Sequence, residues 1–289
     1  MLANSCLFYF PFFRSTNPRN VTCSCYANPM TNLKDKIVLI TGAGGGFGRE
    51  MTMQFSAAGC RLFVTDVNDK SVERAAGLAG SSLLGSVVAD LGTEQGSMII
   101  EHSCAQMKII PDVIINNAGV AVTGRLDHVP RNKWELLMQL NLLSPMRLCN
   151  LFIPDFIARG HGHFVNISSL AGWIGVDGLS AYCASKFGLR GFGESLAADL
   201  EGTGVKVTNV YPSFSQTAIL DSEQFGYETP RIVPQRLISD PADVVRNIIE
   251  GVQKNQLSVF PDKHARRVHY IKRFAPWLIP MVIRVEGAD

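Results

Sequence analysis

No Cys-x-x-Cys pair occurs in the 289 residues, and the seven cysteines (Cys6, Cys23, Cys25, Cys60, Cys104, Cys149, Cys183) are odd in number and scattered, without a histidine cluster. That argues against a disulfide framework and against a zinc site, and reads as free thiols in a reducing, cytoplasmic setting. An excess of one charge is missing too. The 27 Lys and Arg against 25 Asp and Glu leave a formal net charge of +2, and no basic stripe alternates with aromatics, so nucleic acid is not an expected partner. Long apolar runs are absent near the start: residues 1–30 hold no acid and one short run, Cys6 to Phe13, broken by Pro11. A bilayer span takes about 20 apolar residues, so no transmembrane helix is expected there. The run also lacks the preceding basic residue and the small-residue cleavage pattern of a secretory signal. Arg14, Arg19 and the missing acids leave a transit peptide open. The preferred reading starts the folded unit near Met30, with 1–33 a disordered or targeting-like extension.

What is present fits a soluble enzyme: 46% hydrophobic and 18% charged residues, enough for one α/β domain with a sizeable core. The chain is organised around His163 to Gly193, HFVNISSLAGWIGVDGLSAYCASKFGLRGFG. A β-branched strand breaks at Ser168-Ser169, and after a Gly-punctuated loop a helix carries Tyr182 and Lys186. An i, i+4 pair shares one helical face, and an ammonium beside a phenol is expected to draw its pKa down from about 10, making Tyr182 a general acid/base. Ser169, at the strand's end, is placed to bind the same substrate oxygen. By itself Tyr-x-x-x-Lys favours a core tyrosine and a solvated lysine, since the pattern recurs by chance; its surroundings decide.

Those surroundings begin with a nucleotide signature. Lys36 to Thr41 is a short apolar strand, and Gly42-Ala-Gly-Gly-Gly-Phe-Gly48 turns it into a helix starting near Phe47. Glycines admit a pyrophosphate close to the backbone, and the helix start offers free N–H groups and a positive dipole end. The second strand, Arg61 to Asp66, ends in an acid that can accept the adenine-ribose hydroxyls and would repel a 2′-phosphate, favouring NAD over NADP. Further strands are expected at Leu84–Asp90, Asp112–Asn116, Val205–Tyr211 and Leu257–Phe260. From Asn132 to about Ile153 a long helix is apolar nearly all round, which requires burial on more than one side. Pro145 removes the partner of the Asn141 carbonyl and predicts a kink there. His161 and His163 read as loop-edge histidines.

As a set, NISSLAG, YCASK and the glycine turn resemble the short-chain dehydrogenase/reductase family over roughly residues 34–262. The resemblance implies a single-domain, doubly wound parallel sheet of about seven strands, Rossmann-like, with helices on both faces. It implies that Ser169, Tyr182 and Lys186 act on a carbonyl/alcohol pair, with Asn141 holding a water that relays protons to Lys186. For the cofactor it implies Gly42, Gly46, Phe47, Gly48, Asp66, Asp90, Leu91, Asn116, Ala118, Gly119 and Thr217, with Tyr182 and Lys186 against the nicotinamide end. Gly45 stands where NADP-using relatives carry a basic residue. Ser213 departs from the family's glycine in the motif ending at Thr217. Relatives pair the Asn132–Ile153 and Ser180–Leu200 helices with symmetry mates, so a homodimer or homotetramer is expected.

Trp173 and Phe214, with the apolar residues of a lid over 219–236, are expected around a hydrophobic substrate such as a steroid, retinoid or acyl chain. Two other readings stay open: an NADPH-dependent 3-oxoacyl reductase, and a nucleotide-sensing scaffold without turnover. The last segment, 263–289, is basic and apolar, with Lys263, Arg266, Arg267, Lys272, Arg273 and Arg284 meeting no acid between Asp262 and Glu286. It could lie on a membrane surface or cover the cleft.

Overall fold

The computed structural model describes residues 30–282; residues 1–29 of the expected leader and the last seven residues fall outside it, while its end, 30–33, belongs to the fold, with Leu33 buried in the core. The chain alternates strand and helix: β1 Ile37–Thr41, α1 Gly46–Ala57, β2 Arg61–Asp66, α2 Asp69–Ala79, β3 Leu83–Val88, α3 Glu94–Gln106 and β4 Val113–Asn116. A short β5 (Thr123–Gly124) precedes α4 (Arg131–Met138) and α5 (Ser144–Arg159); then come β6 Gly162–Ile167, α6 Ser180–Asp199 and β7 Val205–Val210. A short β8 (Gln224–Phe225), α7 Pro241–Gln253, β9 Ser258–Val259 and α8 Lys263–Phe274 complete the described chain.

Seven strands form one parallel sheet in the order β3-β2-β1-β4-β6-β7-β9. Runs such as IVLIT and VIIN are apolar on both faces because helices cover both sides of such a sheet. Along β1 the faces alternate: Val38 and Ile40 join a core with Met51, Phe55, Val244 and Ile248, while Leu39 joins Phe63, Phe152, Phe156 and Phe164 on the other side. Strand order reverses between β1 and β4, which opens a crevice at the carboxyl ends of those strands, where ligands bind in such sheets.

Residues 131–159 form one continuous helical run, and the kink expected at Asn141 takes the form of a π-helical turn, Gln139–Leu143. Pro145 has no N–H to offer the Asn141 carbonyl, and widening the turn accommodates the loss. This run is long and apolar enough to cross a membrane, yet Leu148, Phe152 and Phe156 are packed into the core. Leu136, Met146 and Ile157 are its exposed apolar residues.

The expected lid is not structureless. β8 pairs with β5, and Arg231 joins Asp177 at 2.7 Å while its guanidinium lies over the Tyr227 ring. Across the main sheet, three asparagines form a buried ladder: Asn116 Nδ2 donates to Asn166 Oδ1 at 2.9 Å, and Asn166 Nδ2 to Asn209 Oδ1 at 3.1 Å.

His163 is not at a loop edge but buried within β6, where its imidazole pKa is pushed down to about 3 by burial and by Lys206. Thr208 donates its hydroxyl to the Gln256 carbonyl, so His163 Nε2 must carry the proton it shares with Thr208 Oγ1, leaving Nδ1 bare with no partner. Below pH 6.5 the unfolded imidazole takes a proton that the folded one refuses until about pH 3. Stability should therefore fall with pH in that window, by about 2 kcal/mol from pH 7 to 5 for this group. Denaturant titrations at both pH values should show a smaller loss in His163→Gln than in wild type; equal losses would refute the assignment.

Candidate active site

The site is assembled from strand ends. β1 ends at Thr41, and the following turn passes through left-handed backbone at Gly42 (φ 62°) and Gly46 (φ 45°) before α1 begins. The N-cap of α1 is Gly45, which supplies no capping side chain, so the first-turn N–H groups remain for an anion. The turn is packed to its limit: a Cβ at Gly48 would stand 2.0 Å from the Gly42 carbonyl oxygen, and one at Gly42 2.9 Å from the Ala118 Cα. That cradle, closed to any side chain at Gly42, Gly44 and Gly48, fits a dinucleotide pyrophosphate. Gly46 faces Thr217 across a cleft of about 350 Å³ that is also lined by Gly44, Gly45 and Arg49.

Asp66, at the end of β2, accepts the Gly44 N–H on Oδ2 (2.9 Å) and the Val67 N–H on Oδ1 (2.8 Å). Each oxygen keeps a lone pair, enough for two ribose hydroxyls. Asp90 is exposed and accepts the Gly92 N–H at 2.8 Å, while its neighbour Leu91 is buried in the core. Asn116 belongs to the ladder inside the sheet. The residue that ties β4 to the nucleotide turn is Asn117, the second of the Asn116–Gly119 stretch: its Nδ2 donates to the Thr41 and Gly42 carbonyls at 2.9 and 3.1 Å. Thr41 Oγ1 in turn accepts the Asn117 and Ala118 N–H groups, each at 3.0 Å. Arg74 was missed in the sequence; it donates to the Gly44 carbonyl at 3.0 Å and, like Arg49, borders the cleft.

The residues expected to react meet at the end of β6. Ser169 caps a single 3-10 turn by accepting the Ala171 N–H at 3.1 Å, and its hydroxyl stands near enough to the Tyr182 phenol to draw its pKa down. Next to it, Ser168 Oγ donates to the Lys186 carbonyl at 3.0 Å, pinning the loop to α6. Lys186 Nζ donates to the Ile167 carbonyl at 2.9 Å and lies 5.7 Å from the Tyr182 ring centroid. Asn141, on the π turn, is clamped from three sides. Its amide exchanges hydrogen bonds with Val120 N and O (3.0 and 2.9 Å) and donates to Ser185 Oγ at 3.2 Å. Gly119 lies between Asn141 and Lys186, where a Cβ would stand 3.0 Å from Asn141 Oδ1 and 3.6 Å from Lys186 Nζ.

One electrostatic expectation is reversed. Burial pushes the Tyr182 phenol up to about 12, only partly offset by the Ser169 hydrogen bond, and pushes Lys186 down to about 8. Near neutrality the phenol therefore holds its proton and Lys186 keeps most of its charge, an arrangement ready to protonate a carbonyl oxygen. The reverse direction needs the phenolate, which the Lys186 charge and the Ser169 hydroxyl would stabilise.

Trp173 is a second correction. Its ring was expected beside substrate, but it packs against Tyr211, Phe260 and His269 at centroid distances of 5.0 to 5.3 Å, under the Arg190 guanidinium at 3.8 Å. The ring is spent on holding α8. Phe214 sits on the loop after β7, partly exposed. The apolar surroundings of Tyr182 come from Val122, Val176, Leu179 and Phe225, of which Val122 and Leu179 were not foreseen. Ser213, the departure from a glycine, also has a purpose here. Its N–H and hydroxyl both bind the Asp262 carboxylate (2.9 and 2.6 Å), which caps α8.

A family model described as "short chain dehydrogenase" matches residues 36–226. The mouse protein named epidermal retinol dehydrogenase 2 is 34% identical over 86% of this chain and 81% of its own length. A second mouse relative, named dehydrogenase/reductase SDR family member 7B, is 30% identical over 85% of this chain and 79% of its own. Among solved structures, a short-chain dehydrogenase from Streptomyces avermitilis superposes with a TM-score of 0.74 at 24% identity, covering 88% of this chain and 98% of that one. One from Burkholderia phymatum, in complex with NAD, gives 0.75 at 22% identity, covering 86% and 96%. With its glycine turn, its seven-stranded sheet and its Ser169, Tyr182 and Lys186 gathered at one strand end, the chain belongs to the short-chain dehydrogenase/reductase family of oxidoreductases.

Proposed function

We propose that the protein is an NAD-dependent oxidoreductase that interconverts a secondary alcohol and a ketone, or a primary alcohol and an aldehyde, on a hydrophobic substrate such as a retinoid, steroid or acyl chain. The observation that carries the reading is the Ser169–Tyr182 hydroxyl pair, next to Lys186 and set among Val122, Val176, Leu179 and Phe225. Such a lining disfavours hydroxyl-rich substrates, whose polar groups would be desolvated without partners. The relatives named as retinol dehydrogenases support the same class. When bound, the nicotinamide takes or gives the hydride. Tyr182 gives or takes the hydroxyl proton, Ser169 orients the oxygen, and Lys186 holds positive charge beside them; Asn141 is assigned a water that passes protons towards Lys186.

The NAD preference rests on Asp66. Asp66→Ala should weaken NAD binding by about 1.5 to 3 kcal/mol, the scale of hydrogen bonds to a charged group, and narrow the preference over NADP. Arg49 and Arg74 at the cleft favour the rival reading, an NADPH-dependent reductase. Titrating both cofactors into wild type and variant decides between them, since tighter wild-type binding of NADP would overturn the NAD assignment. With the cofactor settled, kcat/KM for retinol, a steroid alcohol, a 3-hydroxyacyl ester and a polyol tests the substrate class. A preference for the polyol would refute it.

The exposed Leu136, Met146 and Ile157 on the 131–159 run and Phe187 on α6 are the apolar surface assigned to a homodimer or homotetramer. Light scattering should give at least twice the 31.6 kDa chain mass at micromolar concentration; a monomer would refute the assembly.

A further inference from the structure

Helix α8 has two dissimilar sides, and only one is used by the fold. On the inner side Ala265 and Val268 are buried, His269 stacks on Phe260 at 4.1 Å, and Lys272 donates to the Trp173 carbonyl on the loop that follows Ser169. Its start is fixed by Asp262, which accepts the Ala265 N–H at 2.8 Å and also holds Ser213. The helix cannot rotate without breaking these contacts, so the outward side is a set surface.

That outward side carries Lys263, Arg266, Arg267 and Arg273, all exposed, and none pairs with a carboxylate among the described residues. At the same three- and four-residue steps stand Tyr270, Phe274, Trp277 and Met281, exposed by 57, 68, 73 and 56%. Lys263, Arg266 and Arg267 lie towards the start of this side and the large apolar side chains towards its end, with Arg273 among them at 5.5 Å from the Phe274 ring centroid. Three aromatic side chains more than half in water within eight residues, two of them stacked (Tyr270 and Phe274, 6.5 Å), are unusual for a surface facing only solvent. A twofold pairing of this face with its own copy would bring four unpaired cations against four others, so a second chain is a poor occupant. An anionic lipid surface complements both halves: phosphates meet the cations, and aromatic rings enter the boundary between headgroups and acyl chains.

We propose that the outer face of α8 and the turn after it, Lys263 to Met281, docks the protein on an anionic lipid surface. The same helix holds the Trp173 loop through its inner side, so the docked face lies directly behind the loop carrying Ser169. The docking does not depend on which alcohol is the substrate.

The test is flotation of the full chain with phosphatidylcholine vesicles, with and without phosphatidylserine. The expected result is recovery with the phosphatidylserine vesicles only, declining as salt is raised. Arg266→Glu/Arg267→Glu should lower that recovery at least ~10-fold, with thermal stability and cofactor titration unchanged. Phe274→Ser/Trp277→Ser should lower it as well, and it stands in should the charge reversal fail to fold. Equal recovery with both vesicles, no recovery with either, or undiminished binding by both double variants would overturn the proposal. So would light scattering in which Phe274→Ser/Trp277→Ser dissociates an oligomer, since the face would then be an interface between copies.

Discussion

Tyr182→Phe is expected to lower turnover by ~10² to 10⁴, the usual worth of a positioned acid/base, with little change in cofactor binding. The substitution keeps the ring, which packs with Val122 and Ala171, and removes only the hydroxyl that meets Ser169. The contacts assigned to the cofactor's phosphates and adenine ribose lie elsewhere, in the glycine turn and Asp66. The pH profile should carry the same signature. With the phenol raised to about 12, oxidation in wild type should speed up with pH through neutrality, because the phenolate is the form that takes the proton, and rise less steeply above about pH 8, where Lys186 loses the charge that stabilises it. Reduction uses the protonated phenol, so it should hold level through neutrality and decline above about pH 8, where Lys186 loses its charge. Steady-state rates in both directions over this range check the assignment. A Phe variant with near-normal turnover, or an oxidation rate that falls with rising pH, would remove Tyr182 from the mechanism.

The reversal at Tyr182 shows where a linear sequence is informative. The i, i+4 spacing places Lys186 and Tyr182 on one side of α6, and the structure confirms that they lie together. Spacing says nothing of how much water reaches them, and burial is the larger influence on both groups. The strand-turn-helix of Lys36 to Gly48 and the acid closing β2 were legible because their residues are consecutive, and local periodicity suffices to place them. The doubly wound parallel sheet of about seven strands was legible too, from the alternation of strand and helix.

What stayed hidden depends on register between distant strands. Asn116, Asn166 and Asn209 sit side by side only because β4, β6 and β7 pair with no offset at those positions. Asn117 and Thr41 are joined for the same kind of reason, 76 residues apart in sequence. One cue was available: three asparagines, each near the end of an apolar strand, are too polar for a buried sheet unless they satisfy one another. Trp173 misled because an aromatic residue just after Ser169 has two directions to point, and the position of α8 behind it was not readable. Ser213 was legible as a departure from a glycine, but its partner Asp262 is a C-terminal residue that only the fold brings near.

The glycine turn yields the other large expected effect, in the form of a contrast within one loop. Gly48→Ala would place a methyl carbon 2.0 Å from the Gly42 carbonyl oxygen and 2.7 Å from the Ala43 Cα, both backbone atoms that cannot rotate away. The turn must open, and Gly42 is itself held at φ 62° against Ala118 and Asn117, so the displacement reaches the end of β4. Misplacing a binding element by about 1 Å costs on the order of 10² in rate, and a loss of that size is expected in kcat/KM, with NAD affinity falling in parallel. Gly45→Ala, three residues earlier, adds the same methyl where nothing lies within 4 Å, at an extended φ of −134° that any residue adopts. It should leave affinity and rate within about twofold, since surface substitutions of this kind shift free energies by roughly 0.5 kcal/mol or less. NAD titration and steady-state kinetics on the pair test the cradle directly. If Gly48→Ala binds NAD as wild type does, or if Gly45→Ala is equally damaged, the close packing of the turn is not what admits the pyrophosphate.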